Sequence, residues 1–230
     1  MLELDFFLIF VFAHLVGDFV LQTDKIAKLK AMSKKGLIIH ISVVTAVQIL
    51  VLSVFSVSGV LAGFICGIIH FFIDYLKKAL NKYLSRFQFL YFLFDQFLHM
   101  TSIYVLSLIF ASSSNWTHDY IIFVRLLIAF IVLTYSSTVG AKILMRDLNP
   151  ELLKGEFFQK NERIIDGVVA SVVWAIAATP LFFDVILIPV VFLVFQKIQR
   201  TIFKYDFKIC LVKFVSYTLI GFGMAFFAFR

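Results

Sequence analysis

Apolar residues fill this chain in long blocks separated by short polar stretches, and inside the blocks polar and apolar positions do not alternate. Blocks of roughly 16 to 22 residues match the helical length that crosses a bilayer core, and the missing two-residue alternation excludes a transmembrane barrel. The pattern predicts an all-α fold, a polytopic transmembrane helix bundle with spans over residues 5–22, 37–55, 59–77, 89–111, 119–142, 164–182, 185–199 and 208–229. About eight helices are expected, with seven the alternative. The block at 184–200 is short and carries Pro189, so it could fold back as a re-entrant hairpin.

Composition sharpens this picture. The chain is 62% hydrophobic and only 15% charged, with a mean hydropathy of +1.00, which excludes a water-soluble globule. Residues 5–22 could pass for a signal peptide. However, Glu3 and Asp5 stand where lysines would be needed and no small-residue cleavage pattern follows, so the block is expected to stay as the first span. Cys66 and Cys210 lie in separate apolar blocks without a CxxC spacing and are read as buried free thiols.

The formal charge of +7 would suggest nucleic acid in a soluble protein, but here it follows loop asymmetry, and no nucleic-acid partner is expected. Lys25, Lys28, Lys30, Lys34 and Lys35 fill the first loop, Lys77, Lys78, Lys82 and Arg86 the third, and Lys142, Arg146, Lys154, Lys160 and Arg163 the fifth. The stretches at 53–59 and 112–119 hold no lysine or arginine. By the positive-inside rule the lysine-rich loops are cytoplasmic, and eight spans put both termini outside. No connection is long enough for a soluble domain, so the chain reads as one transmembrane domain. Its N-terminal half, residues 1–112, has four helices, and residues 113–230 supply the C-terminal ones. In the first loop, DKIAKLKAMSKK sets Ile26, Leu29 and Met32 among lysines at near-helical spacing, which suits a short helix on an anionic leaflet.

Seven polar residues inside the first four spans need explaining. They form three i, i+4 arrangements, His14 with Asp18, His70 with Asp74 and Asp95 with His99, and His40 stands alone near the start of the second span. Residues four apart share one helical face. In the expected topology all seven lie near the cytoplasmic boundary, with aspartates shallow and histidines deep. An aspartate in a span costs about 2.5–3.5 kcal/mol unless it is partnered or wet. Neutral imidazoles and ionised carboxylates together supply ligands for a divalent metal ion, so His14, Asp18, His40, His70, Asp74, Asp95 and His99 are the metal candidates. Zinc is the first expectation, with manganese, iron or magnesium as alternatives. Seven donors exceed the need of one tetrahedral ion, which leaves Asp18 or Asp95 free as a catalytic base. The competing reading is that the pairs are interhelical hydrogen bonds that hold the bundle together.

Around this cluster, Gln22 extends the His14 and Asp18 face by a turn, and Lys77 follows Asp74 by about one turn. In the C-terminal half Lys142 and Arg163 are candidates to hold a phosphate, although ion pairs with Glu162 and Asp166 explain them more simply. Gln22, Lys77, Lys142 and Arg163 form the substrate-binding expectation. Gly59, Gly63 and Gly67 repeat every four residues toward His70 and Asp74, and predict close helix packing outward of the cluster.

At HLVGDFVLQTD, the HxxxD of the third span and FDQFLH (94–99), the sequence resembles a bacterial family of multi-pass membrane proteins known chiefly as a domain of unknown function. The resemblance is clearest over residues 10–105, with the NERI stretch near 161 a fainter landmark. It implies a bacterial cytoplasmic (inner) membrane location and no settled activity. In motif style alone, the intramembrane His and Asp residues are also similar to those of inner-membrane metal-dependent hydrolases.

Three functions are open on these residues. The first is a membrane-embedded, metal-dependent hydrolase that opens to the cytoplasm, with membrane lipids as partners and an anionic amphiphile such as a lipid phosphate as substrate. The second is a transporter or channel for metal ions or protons, against which stand the nearly featureless outer halves of the first four spans. The third is a metal-binding scaffold or sensor.

Overall fold

The computed structural model describes residues 3–80, 87–111, 118–149, 158–159, 161–179 and 181–229. Lys82, Arg86, Lys154 and Lys160, used above to orient the loops, lie outside the described residues, as does most of the lysine-free stretch at 112–119. What is described is helix and turn, with no strand among the described residues. Five helices are long and apolar enough to cross a membrane, or six if one bent pair counts as a span. The protein is therefore an all-helical membrane protein.

The first block forms α1 (Glu3–Leu15), which runs into a π-helical turn at Val16–Val20. The chain then bends by 84° into α2 (Asp24–Met32), opened by Thr23, whose hydroxyl accepts from the Ile26 amide at 3.3 Å. This N-cap satisfies one of the donors that a helix start leaves open. The short helix expected in the first loop is thus present. Leu29 and Met32 point outward, Met32 at 82% exposure, whereas Ile26, Ala27 and Lys30 are half-buried. Ser33 then caps α3 (Lys34–Ser53) by accepting from the Gly36 amide at 2.9 Å. Next come α4 (Val57–Leu80) and α5 (Gln88–Phe110).

The chain divides into two compact units, Met1–Ile128 and Ala129–Arg230. The division falls inside α6 (His118–Ile131), which continues through a second π-helical turn, Val132–Ser136, into α7 (Ser137–Leu148). In the second unit, α8 (Glu162–Ala177), α9 (Leu181–Ile202) and α10 (Phe207–Phe229) pack around Leu133, Val173, Phe195, Phe214 and Tyr217. α9 passes through Pro189 as one continuous helix, so the 184–200 block is not a re-entrant hairpin. α8 has 16 residues, fewer than the roughly 20 of a full span. Cys66 and Cys210 are free and buried, as expected.

In the first unit α1 packs against α3 and α5, burying Phe6, Ile9, Phe10 and Ala13. α3 and α4 meet most closely, through the glycine stripe. A Cβ at Gly63 would stand 2.9 Å from the Ile49 backbone nitrogen, and one at Gly59 would stand 2.5 Å from the Leu52 carbonyl oxygen. A Cβ at Gly67 would run into the Thr45 side chain. Only hydrogen fits where backbone meets backbone, so this stripe fixes the separation of α3 and α4. Gly17 plays the same part at the end of α1, where a Cβ would be 2.9 Å from the Val44 Cα. These contacts put His14, His40 and His70 on three helices that cannot drift apart.

A bulky residue in the stripe should therefore force the helices apart. Gly63→Leu is expected to destabilise the protein by about 1–3 kcal/mol, the usual range for overpacking, read as a lower Tm in detergent, whereas Gly223→Leu, at a position with nothing within 4 Å of its Cβ, should change Tm little.

Candidate metal centre

Four helices of the first unit, α1, α3, α4 and α5, contribute to the centre. His14 and Asp18 come from α1 and its π-helical turn, His40 from α3, His70 and Asp74 from α4, and Asp95 and His99 from α5. π-helical turns recur at functional sites because they re-aim side chains, and Asp18 lies inside one. The structure brings all seven expected residues together, and all are buried.

His70 is the hub. Its ring stacks on His99 at 4.1 Å between centroids and lies 5.2 Å from His14 and 5.4 Å from His40. The Nε2 atoms of His40 and His70 are 3.3 Å apart. His40 Nε2 approaches Asp18 Oδ1 at 3.1 Å and Asp74 Oδ2 at 3.4 Å, and His70 Nε2 approaches Asp74 Oδ2 at 3.2 Å. Three triads, His14/His70/His99, Asp18/His40/His70 and Asp74/Asp95/His99, each offer donor atoms within 4.8 Å of one another.

The hydrogen bonding of the centre is incomplete: each of the four imidazoles has at least one ring nitrogen without a hydrogen-bond partner, Nδ1 in His40 and His70. Both ring nitrogens of His14, a residue at 0% exposure, lack a hydrogen-bond partner, as do His99 Nε2 and Asp95 Oδ1. A neutral imidazole always carries one N–H, and burying it without a partner costs about 1–3 kcal/mol. His14 Nε2 is 3.9 Å from Asp18 Oδ2, His99 Nε2 is 3.7 Å from Asp95 Oδ1, and His99 Nε2 is 3.9 Å from Asp74 Oδ1. These gaps are too long for hydrogen bonds but near the roughly 3.4 Å that separates two ligands on a tetrahedral ion with bonds of about 2.1 Å.

On the α2 side, lysines reach the aspartates and leave the histidines alone. Lys30 Nζ is 2.7 Å from Asp74 Oδ2 and 4.0 Å from Asp18 Oδ1, and Lys77 Nζ donates to Asp95 Oδ2 at 2.5 Å. Burial works against the charge on Lys30, but Asp74 and Asp18 outweigh it and hold its pKa above the ordinary lysine value. Lys78 Nζ donates to the Lys30 carbonyl at 3.1 Å. A cavity of about 290 Å³ opens here, lined by Gln22, Lys30, Asp74, Lys77, Lys78 and Gln88 among others. Gln22 and Lys77 thus stand where the sequence suggested. Lys30 was missed, because an amphipathic reading of α2 sends every lysine to solvent. Its signal is the inward face of Ile26, Ala27 and Lys30.

Outward of the centre the core is mostly apolar, with Val44, Leu52, Ile103 and Leu106 buried. Gln48, two turns beyond His40 on the same face of α3, and Ser107 on α5 are buried polar residues there. Gln48 therefore carries polarity further out than the sequence reading allowed.

Lys142 and Arg163, proposed for a phosphate, belong to the second unit and have other neighbours. Lys142 Nζ meets Glu162 Oε1 at 2.8 Å and also donates to the Tyr205 hydroxyl. The Arg163 guanidinium lies 4.6 Å over the Tyr135 ring. Lys213, at 0% exposure, reaches Glu162 Oε1 at 3.0 Å, Asp166 Oδ2 at 2.6 Å and Gln199 Oε1 at 3.0 Å. Gln199 donates in turn to Asp166 Oδ1 at 2.9 Å, and Tyr205 donates to Glu162 Oε1 at 2.9 Å. Burial, with Glu162 alongside, pushes the Tyr205 phenol up and keeps it protonated as a donor. This network joins α7, α8, α9 and α10. The simpler expectation for Lys142, an ion pair with Glu162, describes it. Lys213, Gln199 and Tyr205 were not foreseen, although a lysine inside an apolar span is itself a demand for a partner.

The profile of a family described as a protein of unknown function, DUF3307, matches residues 6–128, more than half of the chain. The chain belongs to the DUF3307 family. The DUF3307 match takes in all seven His and Asp residues with Lys30, Lys77 and Lys78, and ends before the buried network of the second unit. No curated protein and no solved structure matches the chain.

The network of the second unit is expected to be structural. Lys213→Met should cost about 3–5 kcal/mol by stranding buried carboxylates, read as a lower unfolding midpoint in detergent, and adding Asp166→Asn should recover part of the loss. A Lys213→Met protein as stable as wild type would remove that role.

Proposed function

We propose that this DUF3307 protein is a membrane-embedded, metal-dependent hydrolase that opens to the cytoplasm and cleaves a lipid phosphate or similar anionic amphiphile. The observation that carries the reading is the convergence of four imidazoles and three carboxylates at a buried point where His14 keeps two ring nitrogens without a hydrogen-bond partner. Plain structural pairing would satisfy those nitrogens; a metal ligand needs one of them bare. His14, His70 and His99 form an all-imidazole triad, which suits zinc, and Asp18, His40, Asp74 and Asp95 stand around it as further ligands or as orienting groups.

A divalent ion in such a place supplies a Lewis acid and lowers the pKa of coordinated water toward neutrality. Asp95, whose Oδ1 lacks a hydrogen-bond partner, would accept the water's proton, with Asp18 as the alternative base. Hydrolysis would then form a bond from the water oxygen to phosphorus and break the bond to the lipid alkoxide, with the aspartate passing its proton to the departing oxygen. Gln22, Lys30, Lys77 and Lys78 border the cavity through which an anionic head group would enter. The apolar core outward of the centre supports hydrolysis over transport, because a conduction path should stay polar across the bilayer. In the proposed orientation the lysine-bearing end of the bundle faces the cytoplasm of a bacterium, and both chain termini lie outside its inner membrane.

Metal analysis of purified protein under replete conditions is the first test. About one or two divalent ions per chain are expected, with His70→Ala and His14→Ala losing at least one, and release of phosphate or alcohol from a lipid-phosphate panel should fall by about a hundredfold or more in Asp95→Asn. Metal-free wild-type protein would end this reading, and metal binding accompanied by ion flux into proteoliposomes without turnover would replace it with transport.

A further inference from the structure

Two of the three lysines on the cavity are not simply a basic rim. Lys30 and Lys77 are ion-paired at 2.7 and 2.5 Å with Asp74 and Asp95, two of the carboxylates that the proposed metal centre would use. Asp18, Asp74 and Asp95 together carry three negative charges, and the two ammoniums offset all but one. An arriving divalent ion would meet carboxylates already neutralised and would have to take them from the lysines. The displaced ammoniums can turn into the cavity of about 290 Å³ that they line with Lys78, Gln22 and Gln88. Lys78 differs from the other two: its ammonium is bound to the Lys30 carbonyl, at 3.1 Å, so no ion-paired carboxylate would be released by moving it.

We infer that Lys30 and Lys77 are exchangeable counter-ions, which hold Asp74 and Asp95 when the metal is absent and form a binding site for a phosphate monoester dianion in the cavity when it is present. The inference rests on the metal reading above and adds its consequence: metal and phosphate bind in obligatory support of each other. Without metal, a dianion entering the cavity faces lysines whose charge is spent on carboxylates and one aspartate in excess. With metal, the same cavity is lined by free ammoniums and backed by a positive centre. Linkage makes the effect reciprocal, so phosphate must tighten metal binding by the factor by which metal tightens phosphate binding.

The variants separate this exchange from a merely basic pocket, because it predicts opposite signs. Lys30→Met removes a competitor for Asp74 and should bind zinc more tightly, yet the zinc-loaded variant should bind phosphate about tenfold or more weakly, as expected for loss of one charge-assisted contact. Lys77→Met should behave likewise through Asp95 and serves as the second variant if Lys30→Met does not fold. Lys78→Met should weaken phosphate binding without tightening zinc.

The experiment is equilibrium dialysis of the full-length protein in phosphatidylcholine nanodiscs, with zinc alone, inorganic phosphate alone and both together. Phosphate binding is expected to strengthen at least about tenfold with zinc, within the usual range for coupled sites. Competition by phosphatidic acid in the nanodisc would identify a lipid-borne phosphate as the natural occupant, and its absence would leave free phosphate in the same site; either supports the site. Zinc binding with phosphate affinity unchanged would overturn the exchange while leaving the metal centre standing. Zinc binding unchanged in both Lys30→Met and Lys77→Met would overturn it as well. A protein that binds no zinc would overturn the metal reading and the exchange with it.

Discussion

An ionised side chain inside an apolar bundle has to be answered by another group, and most of this structure can be understood as answers to that constraint. Water is too far away to solvate Glu162, Asp166 or Lys213, so each is stable only where other helices bring complementary atoms to it. In the second unit lysines, a phenol and amides answer the carboxylates. Glu162 accepts from Lys142, Lys213, Tyr205 and the Gln159 amide, and Asp166 meets Lys213 and Gln199. In the first unit the carboxylates meet lysines and histidines, but both ring nitrogens of His14 lack a hydrogen-bond partner. Two clusters built from the same physics thus differ in how their buried groups are paired, and the proposed metal centre rests on that difference.

Apolar contacts set the precision with which the open cluster is held. Side chains that bring donor atoms to within a few tenths of an ångström of a working geometry need helices that do not shift. Gly17, Gly59 and Gly63 bring α3 against α4 and the turn after α1 into contacts where backbone atoms limit the approach. Backbone is less compliant than side chain, so the separation of His40 and His70 is set by the helices themselves. The α2 end of the centre is built otherwise. No residue of α2 is fully buried, and it meets the cluster through Lys30. The centre is stiff where its imidazoles converge and soft where its aspartates meet lysine.

Much of this could be read in the sequence, and the limits follow from what a linear pattern carries. Spacing of four on a helix identified the pairs, charge asymmetry suggested that they share one end of the bundle, and the seven residues do meet. The glycine period identified a close helix pair because small residues at that spacing have few other uses in a span. Lys30 escaped because amphipathic spacing reports the average polarity of a face and not the one side chain that a bend turns inward. Lys213 and Gln199 escaped because their partners lie on other helices, and one sequence does not report interhelical pairing. Lys142 could be assigned to Glu162 since both flank one connection, whereas Tyr205, far along the chain, could not. The division of the chain within α6 had no signal in hydropathy, since the helix is apolar on both sides of Ile128.

The π-helical turn at Val16–Val20 has a consequence for how α1 tolerates change. The turn accommodates one residue more than an α-helix would place between the same two levels, and Asp18 lies inside it. Successive residues of an α-helix are about 100° apart around its axis. Deleting one residue from the turn would let the helix relax to regular pitch and carry everything on one side of it around by about that angle relative to the other. The first wall of the centre is therefore encoded in the length of the segment as much as in its composition. Substitutions of one apolar residue for another around Phe19 preserve that wall, whereas a change of a single residue in length does not.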